Sequence, residues 1–194
     1  MRFAPTTKTE LREEMRARLA ALTPAQVRGA SAAIWERLPV LAEFAASQTL
    51  LVYVSKNNEV DTHGLIQQLL AMGKRVCVPA FDAAGQRYVA SELRDFVSDL
   101  SEGKFGILEP KSGAMRVARA DRIDALVLPG LAFDARGNRL GRGLGFFDRL
   151  LRDTHGIRIA LAYEFQMLSQ VPAEPHDVRV DFVVTESRVV NCKG

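Results

Sequence analysis

The chain has 194 residues, 47% of them hydrophobic and 25% charged, with a formal net charge of +3 at pH 7. Such a length carries one domain with a sizeable core, and such a composition excludes a disordered chain. The arginines are interspersed with carboxylates rather than gathered in a stripe, so nucleic acid is not an expected partner, and no run approaches the ~20 apolar residues of a membrane span.

Residues 8 to 22 predict a helix, because Leu11, Met15, Leu19 and Leu22 recur at three- and four-residue spacing. Lys8 and Arg12 share one face of it, which on spacing alone reads as a solvated face. A second helix starts with Thr23 as N-cap and Pro24 in its first turn and runs to about Leu38. Thr49 to Val54 reads as a strand buried on both faces. A polar loop, Ser55 to Thr62, then enters a helix from Thr62 to Met72, for which Asp61 or Thr62 serves as a cap. Glu59, past the end of a parallel strand, stands where ligands bind in open α/β sheets.

Arg75 to Ala80 predicts a second strand, ended by Pro79. Short strands or hairpins are expected near Arg87 to Val89 and Phe105 to Leu108. Asp124 to Leu128 is the third buried strand, residues 146 to 153 a helix, Ile157 to Tyr163 a fourth strand and Asp181 to Thr185 a fifth. Strands alternating with helices imply an α/β fold, a single three-layer domain whose mainly parallel sheet carries helices on both faces. Cys77 lies in an apolar run and Cys192 near the chain end, which predicts unpaired thiols and a reducing compartment. Met1 to Lys8 shows no apolar core followed by a cleavage site, so a cytoplasmic protein is expected, and it is taken as a monomer.

The third strand delivers the chain to Pro129 through Arg149, where five glycines and four arginines share one stretch. A glycine-rich turn leading into a helix exposes N–H groups and the positive end of the helix dipole, which suits an anion. Gly141-x-Gly143-x-Gly145 alone serves tight turns as readily as ligands. It lacks the glycine spacing of a dinucleotide loop, and no G-x-x-x-x-G-K-[ST] occurs in the chain. Arg139 and Arg142 beside the glycines supply fork-shaped donors for phosphate, and Asp148 supplies a carboxylate for Mg²⁺.

The run Arg139-Leu140-Gly141-x-Gly143-x-Gly145-Phe146-Phe147-Asp148-Arg149, preceded by Pro129-Gly130-Leu131-Ala132-Phe133-Asp134-x-x-Gly137, resembles the signature of the 5-formyltetrahydrofolate cyclo-ligase family, also called methenyltetrahydrofolate synthetases. Lys8-x-x-Leu11-Arg12, Glu59-Val60-Asp61-Thr62, Gly106-Ile107-x-Glu109-Pro110, Pro172-x-Glu174-Pro175-His176-Asp177 and Asp181-x-x-x-Thr185 resemble further marks of that family, in order and over nearly the whole chain. The resemblance implies ATP-dependent closure of 5-formyltetrahydrofolate to 5,10-methenyltetrahydrofolate, with Mg²⁺ as cofactor and small molecules as the only partners. It further implies that Lys8 and Arg12 meet the ATP phosphates, reversing the solvated-face reading, with Lys8 and Arg139 catalytic. Arg139, Leu140, Gly141, Arg142, Gly143, Leu144, Gly145, Phe146 and Phe147 would form the nucleotide loop. Arg142 to Phe146 would also touch the folate, Glu59 would bind the pterin ring, and Asp148 and Asp177 would hold Mg²⁺. His176 then reads as a loop residue, and His63 and His155 as surface histidines. The family often has glycine at Leu144 and tyrosine at Phe147, departures that leave two alternatives: a paralogue for another N-formyl or pterin-like substrate, or a non-catalytic nucleotide-binding module.

Overall fold

The structure is a computed structural model and describes residues 7–103, 106–143, 150–151, 154–174 and 177–193. Helix α1 (Lys8–Ala20) starts where Thr7 and Glu10 cap each other: the Thr7 hydroxyl accepts from the Glu10 N–H at 3.2 Å, and the Glu10 carboxylate accepts from the Thr7 N–H at 3.1 Å. Leu11, Met15 and Leu19 form its buried stripe. Helix α2 (Pro24–Arg37) repeats the device with Thr23 and Gln26, and a 3₁₀ turn at Leu38–Val40 takes up Pro39. The short helix α3 (Ala42–Ala46) leads to the sheet.

The remaining elements, in chain order, are β1 (Thr49–Val52), α4 (His63–Ala71), β2 (Arg75–Asp82), β3 (Arg87–Leu93), α5 (Phe96–Asp99), β4 (Leu100–Glu102), β5 (Leu108–Pro110), β6 (Ala125–Leu128), β7 (Ala132–Asp134), β8 (Arg139–Leu140), β9 (Ile157–Leu161), β10 (Met167–Leu168), β11 (Phe182–Val184) and β12 (Val189–Asn191). Among the described residues, seven strands form the central sheet in the order β12-β11-β9-β6-β1-β2-β3. The five inner strands are parallel, and β3 and β12 close the edges antiparallel.

Side chains alternate across this sheet, as a two-residue period requires. Leu50, Val52, Val76, Val78, Val127 and Ile159 face α1, α2 and α4 through Leu11, Met15, Ile34, Leu65 and Ile66. Leu51, Cys77, Leu126, Leu128 and Ala160 face the other way, against the helical residues Leu150 and Leu151. Fully burying each such aliphatic side chain contributes about 1.5–3 kcal/mol, which is what holds an otherwise plain sheet together. The fold is therefore α/β with helical residues on both faces. The chain moves from β1 to β2 through α4 on one face, and from β6 to β9 in the opposite direction past Leu150 and Leu151 on the other. Right-handed crossovers demand that change of face, and the strand order reverses between β1 and β6.

Several expectations are corrected. Pro79 does not end β2, which continues to Asp82. Its parallel pairing with β1 stops at Cys77, so Pro79 pairs only with β3, opposite Ala90, and its missing N–H breaks no ladder on the β1 side. The hairpin expected near Phe105 is present as the antiparallel pair β4 and β5, but its second strand runs over Leu108–Pro110 rather than ending at Leu108. The fourth strand stops at Leu161, before Tyr163. Of the helix expected over 146 to 153, Leu150 and Leu151 are helical and the rest lies outside the described residues.

The glycine-rich stretch opens as a hairpin of β7 and β8 rather than as a bare turn into a helix. Its turn is built on the fully buried Asp134, whose carboxylate accepts from the N–H groups of Arg136, Asn138 and Val171 and from the Asn138 side chain, all at 2.8–3.1 Å. Gly137 completes the turn with φ at +79°, packed so closely on the Val180 carbonyl that a side chain has no room.

Candidate active site

The site is built where β1 and β6 leave the sheet, the crevice that a reversal of strand order opens. After β1, the loop 55–62 is pinned by its own polar groups. The Thr62 hydroxyl donates to the Tyr53 carbonyl at 2.6 Å and accepts from the Ser55 N–H at 2.9 Å. The Tyr53 phenol, buried beneath the loop, donates to the Val60 carbonyl at 2.7 Å. Burial first, and the nearby Glu59 charge second, push its pKa well above the ordinary tyrosine value, so it stays a donor. From α2, the Ser31 hydroxyl accepts from the Asp61 N–H and the Trp35 indole donates to the Asp61 carbonyl. Asp61, rather than Thr62, caps α4 by accepting from the His63 N–H at 3.1 Å.

This scaffold delivers Glu59, whose side chain is 10% exposed. One carboxylate oxygen, Oε2, accepts from the Lys56 N–H at 3.0 Å. The other, Oε1, accepts from Arg142 Nε at 3.0 Å and Nη2 at 2.6 Å. Thus two residues of the sequence motifs, 83 positions apart, form an ion pair across the crevice. Beside Glu59 lies a cavity of about 10 Å³, walled in part by Tyr53, Glu59, Pro129, Gly130 and Gln166. Gln166 holds the far wall, donating to the carbonyls of Gly130 and Leu131 at 2.8 and 3.1 Å.

Helix α1 forms the third side. Lys8, Arg12 and Arg16 recur every four residues and so share one face. Lys8 Nζ lies 2.7 Å from Asp177 and 2.9 Å from Glu174. Burial by itself lowers its pKa, but hydrogen bonds to the two carboxylates outweigh that and leave it raised. Arg12 Nε donates to the Gly141 carbonyl at 3.1 Å, and Arg16 Nη2 to the Arg142 carbonyl at 3.0 Å. Gly143 follows with φ at +101°, a conformation that favours glycine. Arg139, 8% exposed, donates from Nη1 to the Pro129 carbonyl at 3.3 Å. The Leu140 side chain is buried in the core, so this residue can meet a ligand only through its backbone.

The structure therefore brings Glu59, Arg139, Gly141, Arg142 and Gly143 to one crevice and sets Asp177 against Lys8 on the face of α1 that also carries Arg12. Leu144, Gly145, Phe146, Phe147, Asp148 and His176 lie outside the described residues. His155 is exposed, but His63 is not a surface histidine: its Nε2 is 3.0 Å from the Ser55 carbonyl and its ring packs on Phe96. Sequence reasoning missed Arg16, Tyr53 and Gln166. Arg16 was signalled by the four-residue repeat from Lys8 through Arg12, whereas nothing local marks Tyr53 or Gln166 as facing a crevice. A larger hollow of about 590 Å³ lies against β3, and none of the motif residues line it.

The arrangement offers cations and backbone donors for phosphate, and a carboxylate for a neutral donor edge. Asp177 and Glu174, held by Lys8, suit an oxygen-seeking cation that takes its other ligands from phosphate and water. Among the described residues, no three His, Cys, Asp or Glu side chains cluster to hold a metal by themselves, and no helix is long and apolar enough to cross a membrane. Cys77 and Cys192 are both free thiols.

A family model described as the 5-formyltetrahydrofolate cyclo-ligase family matches residues 4–186. The protein named 5-formyltetrahydrofolate cyclo-ligase from Escherichia coli is 33% identical over 181 residues, covering 90% of this chain and 98% of its own. The protein of the same name from Haemophilus influenzae is 32% identical, covering 88% and 93%. The solution structure of Aquifex aeolicus 5,10-methenyltetrahydrofolate synthetase superimposes with a TM-score of 0.84 at 30% identity, covering 96% of this chain and 93% of that one.

Proposed function

Because the chain belongs to the 5-formyltetrahydrofolate cyclo-ligase family, we propose that it uses ATP to convert 5-formyltetrahydrofolate to 5,10-methenyltetrahydrofolate, releasing ADP and phosphate. The observation that carries this reading is the largely buried Glu59 carboxylate, facing the glycine loop at the reversal of strand order. A pterin presents paired N–H donors that suit a carboxylate, and the arginines and exposed backbone of the loop suit a triphosphate.

An N-formyl group is an amide and resists attack. The formyl oxygen therefore takes the γ-phosphoryl group of ATP, with ADP leaving. Nitrogen 10 of the folate attacks the activated carbon, and the C–O bond to phosphate breaks as the ring closes, the nitrogen 10 proton leaving with the phosphate. No side-chain nucleophile is needed, so the task is positioning and charge neutralisation. In this reading Arg139 and Lys8 face the transferring phosphoryl group, Arg12 meets the ATP phosphates while its Nε steadies the loop at Gly141, and Glu59 orients the pterin. By the family resemblance, Leu140 to Phe147 would serve the nucleotide and Arg142 to Phe146 also the folate. Mg²⁺, held by Asp177 and by Asp148, would neutralise phosphate charge. The enzyme is taken as a cytoplasmic monomer, in keeping with its two free thiols.

A spectrophotometric assay tests the reading. The methenyl chromophore should appear only with 5-formyltetrahydrofolate, Mg-ATP and protein together, and no product at high protein concentration sinks it. Arg139→Ala should raise the ATP requirement sharply, whereas Glu59→Ala should impair the folate side.

A further inference from the structure

The contact between Glu59 and Arg142 has a chemical peculiarity. Oε2 of Glu59 is engaged by the Lys56 N–H, and the guanidinium takes Oε1 with both Nε–H and Nη2–H. The edge that a pterin offers a carboxylate, its ring N–H beside an exocyclic amino group on one carbon, is itself a guanidine. Arginine and pterin thus present the same pair of donors to the same acceptor. Both cannot hold Oε1 in this way at once. The space walled by Glu59, about 10 Å³, is room for about one water, where ligand pockets run to roughly 300 Å³ or more. The loop that carries Arg142 is tied down on α1 by Arg12 at the Gly141 carbonyl and by Arg16 at that of Arg142 itself.

We propose that Arg142 is an internal mimic of the pterin edge, which occupies Glu59 in the empty enzyme and must be displaced by substrate before the folate pocket opens. The proposal rests on the folate reading of the site. It makes Arg142 a latch whose cost every ligand meets, while the choice between ligands rests with Glu59. A compound that carries the paired donors replaces what the guanidinium gives up, whereas a ring without the amino group evicts the arginine and leaves Glu59 half satisfied. Displacement is feasible because the Arg142 side chain is 38% exposed, and a partly exposed ion pair is weakly held. The four-residue repeat of cations on α1 then has a second use: Arg16 sets how firmly the latch rests.

The test is the dissociation constant of 5-formyltetrahydrofolate, measured by calorimetry without nucleotide, on the wild-type chain, Arg142→Ala and Arg142→Lys. A latch predicts that Arg142→Ala binds the folate roughly two- to tenfold more tightly than wild type, with Arg142→Lys between, since an ammonium has no fork. It also predicts that Arg142→Ala rejects a 2-deamino analogue as strongly as wild type does, because both ligands must displace the same arginine and its cost cancels in their ratio. Unchanged or weaker binding by a folded Arg142→Ala overturns the proposal and makes Arg142 a plain ligand contact. Should that variant fail to fold, Arg142→Gln carries the same comparison. Turnover by the wild-type enzyme separates the two readings: product formation without tighter binding by the variants removes the latch alone, and absence of product removes the folate reading beneath it.

Discussion

Lys8 Nζ lies 2.7 Å from Oδ2 of Asp177, although the two residues are 169 positions apart in the chain. The contact ties the start of α1 to the loop before β11, and Glu174 completes it at 2.9 Å. Both side chains of the close pair are about one-fifth exposed, so its contribution to stability is small, under about 1 kcal/mol. Lys8→Met should therefore leave urea unfolding nearly unchanged while lowering kcat/KM for ATP at least tenfold, as expected for a cation that meets phosphate. Because the Lys8 pKa is raised, its contribution is fully present at neutral pH and fades only above the ordinary lysine range. A loss of stability in Lys8→Met as large as its loss of activity would make the residue a tether only.

A second carboxylate sets the behaviour in acid. Asp99, nearly buried at the end of α5, accepts from Arg116 at 2.7 and 3.2 Å and from the N–H groups of Arg94 and Asp95. The Arg116 hydrogen bond, working against burial and helped by the backbone donors, holds its pKa down at about 2. A depressed carboxylate stabilises the fold above the unfolded value of about 3.9 and loses that contribution as pH falls towards 2. Chemical unfolding of the wild type should lose about 1 kcal/mol over this window relative to Asp99→Asn, once solvent screening of Arg116 is allowed for. Parallel pH profiles for the two proteins would rule this out.

Tyr53 places the loop that presents Glu59, through its bond to the Val60 carbonyl. Tyr53→Phe leaves that buried carbonyl without its donor at a cost of about 1 kcal/mol. KM for the folate should rise several-fold with KM for ATP unchanged. Equal rises in both would show that the phenol supports the crevice as a whole.

Asp134 is the anchor of the glycine-rich hairpin, and removing it strands the buried N–H groups of Asn138 and Val171. Asp134→Ala should destabilise the chain by about 3 kcal/mol or more in equilibrium denaturation. A change below about 1 kcal/mol would mean that the hairpin is held mainly by its apolar packing.

The sequence by itself determined the elements and the motifs. The buried stripe of α1, the Thr23 cap of α2 and the apolar runs of β1 and β6 are local signals, each set within a few residues by side-chain period, capping groups or β-branching. The glycine run and the cations on α1 were legible for the same reason. What only the tertiary structure decided is who meets whom. Glu59 reaches Arg142, Lys8 reaches Asp177 and Arg16 reaches the Arg142 carbonyl because the strand order reverses between β1 and β6 and α1 packs over that crevice. Pro79 stays inside a strand because one neighbour has already ended, and Asp134 folds the first half of the glycine stretch into a hairpin because Val171 brings it another donor. Such pairings depend on strand order, crossover direction and the aim of side chains from separate elements, and a periodicity read along one element carries none of these.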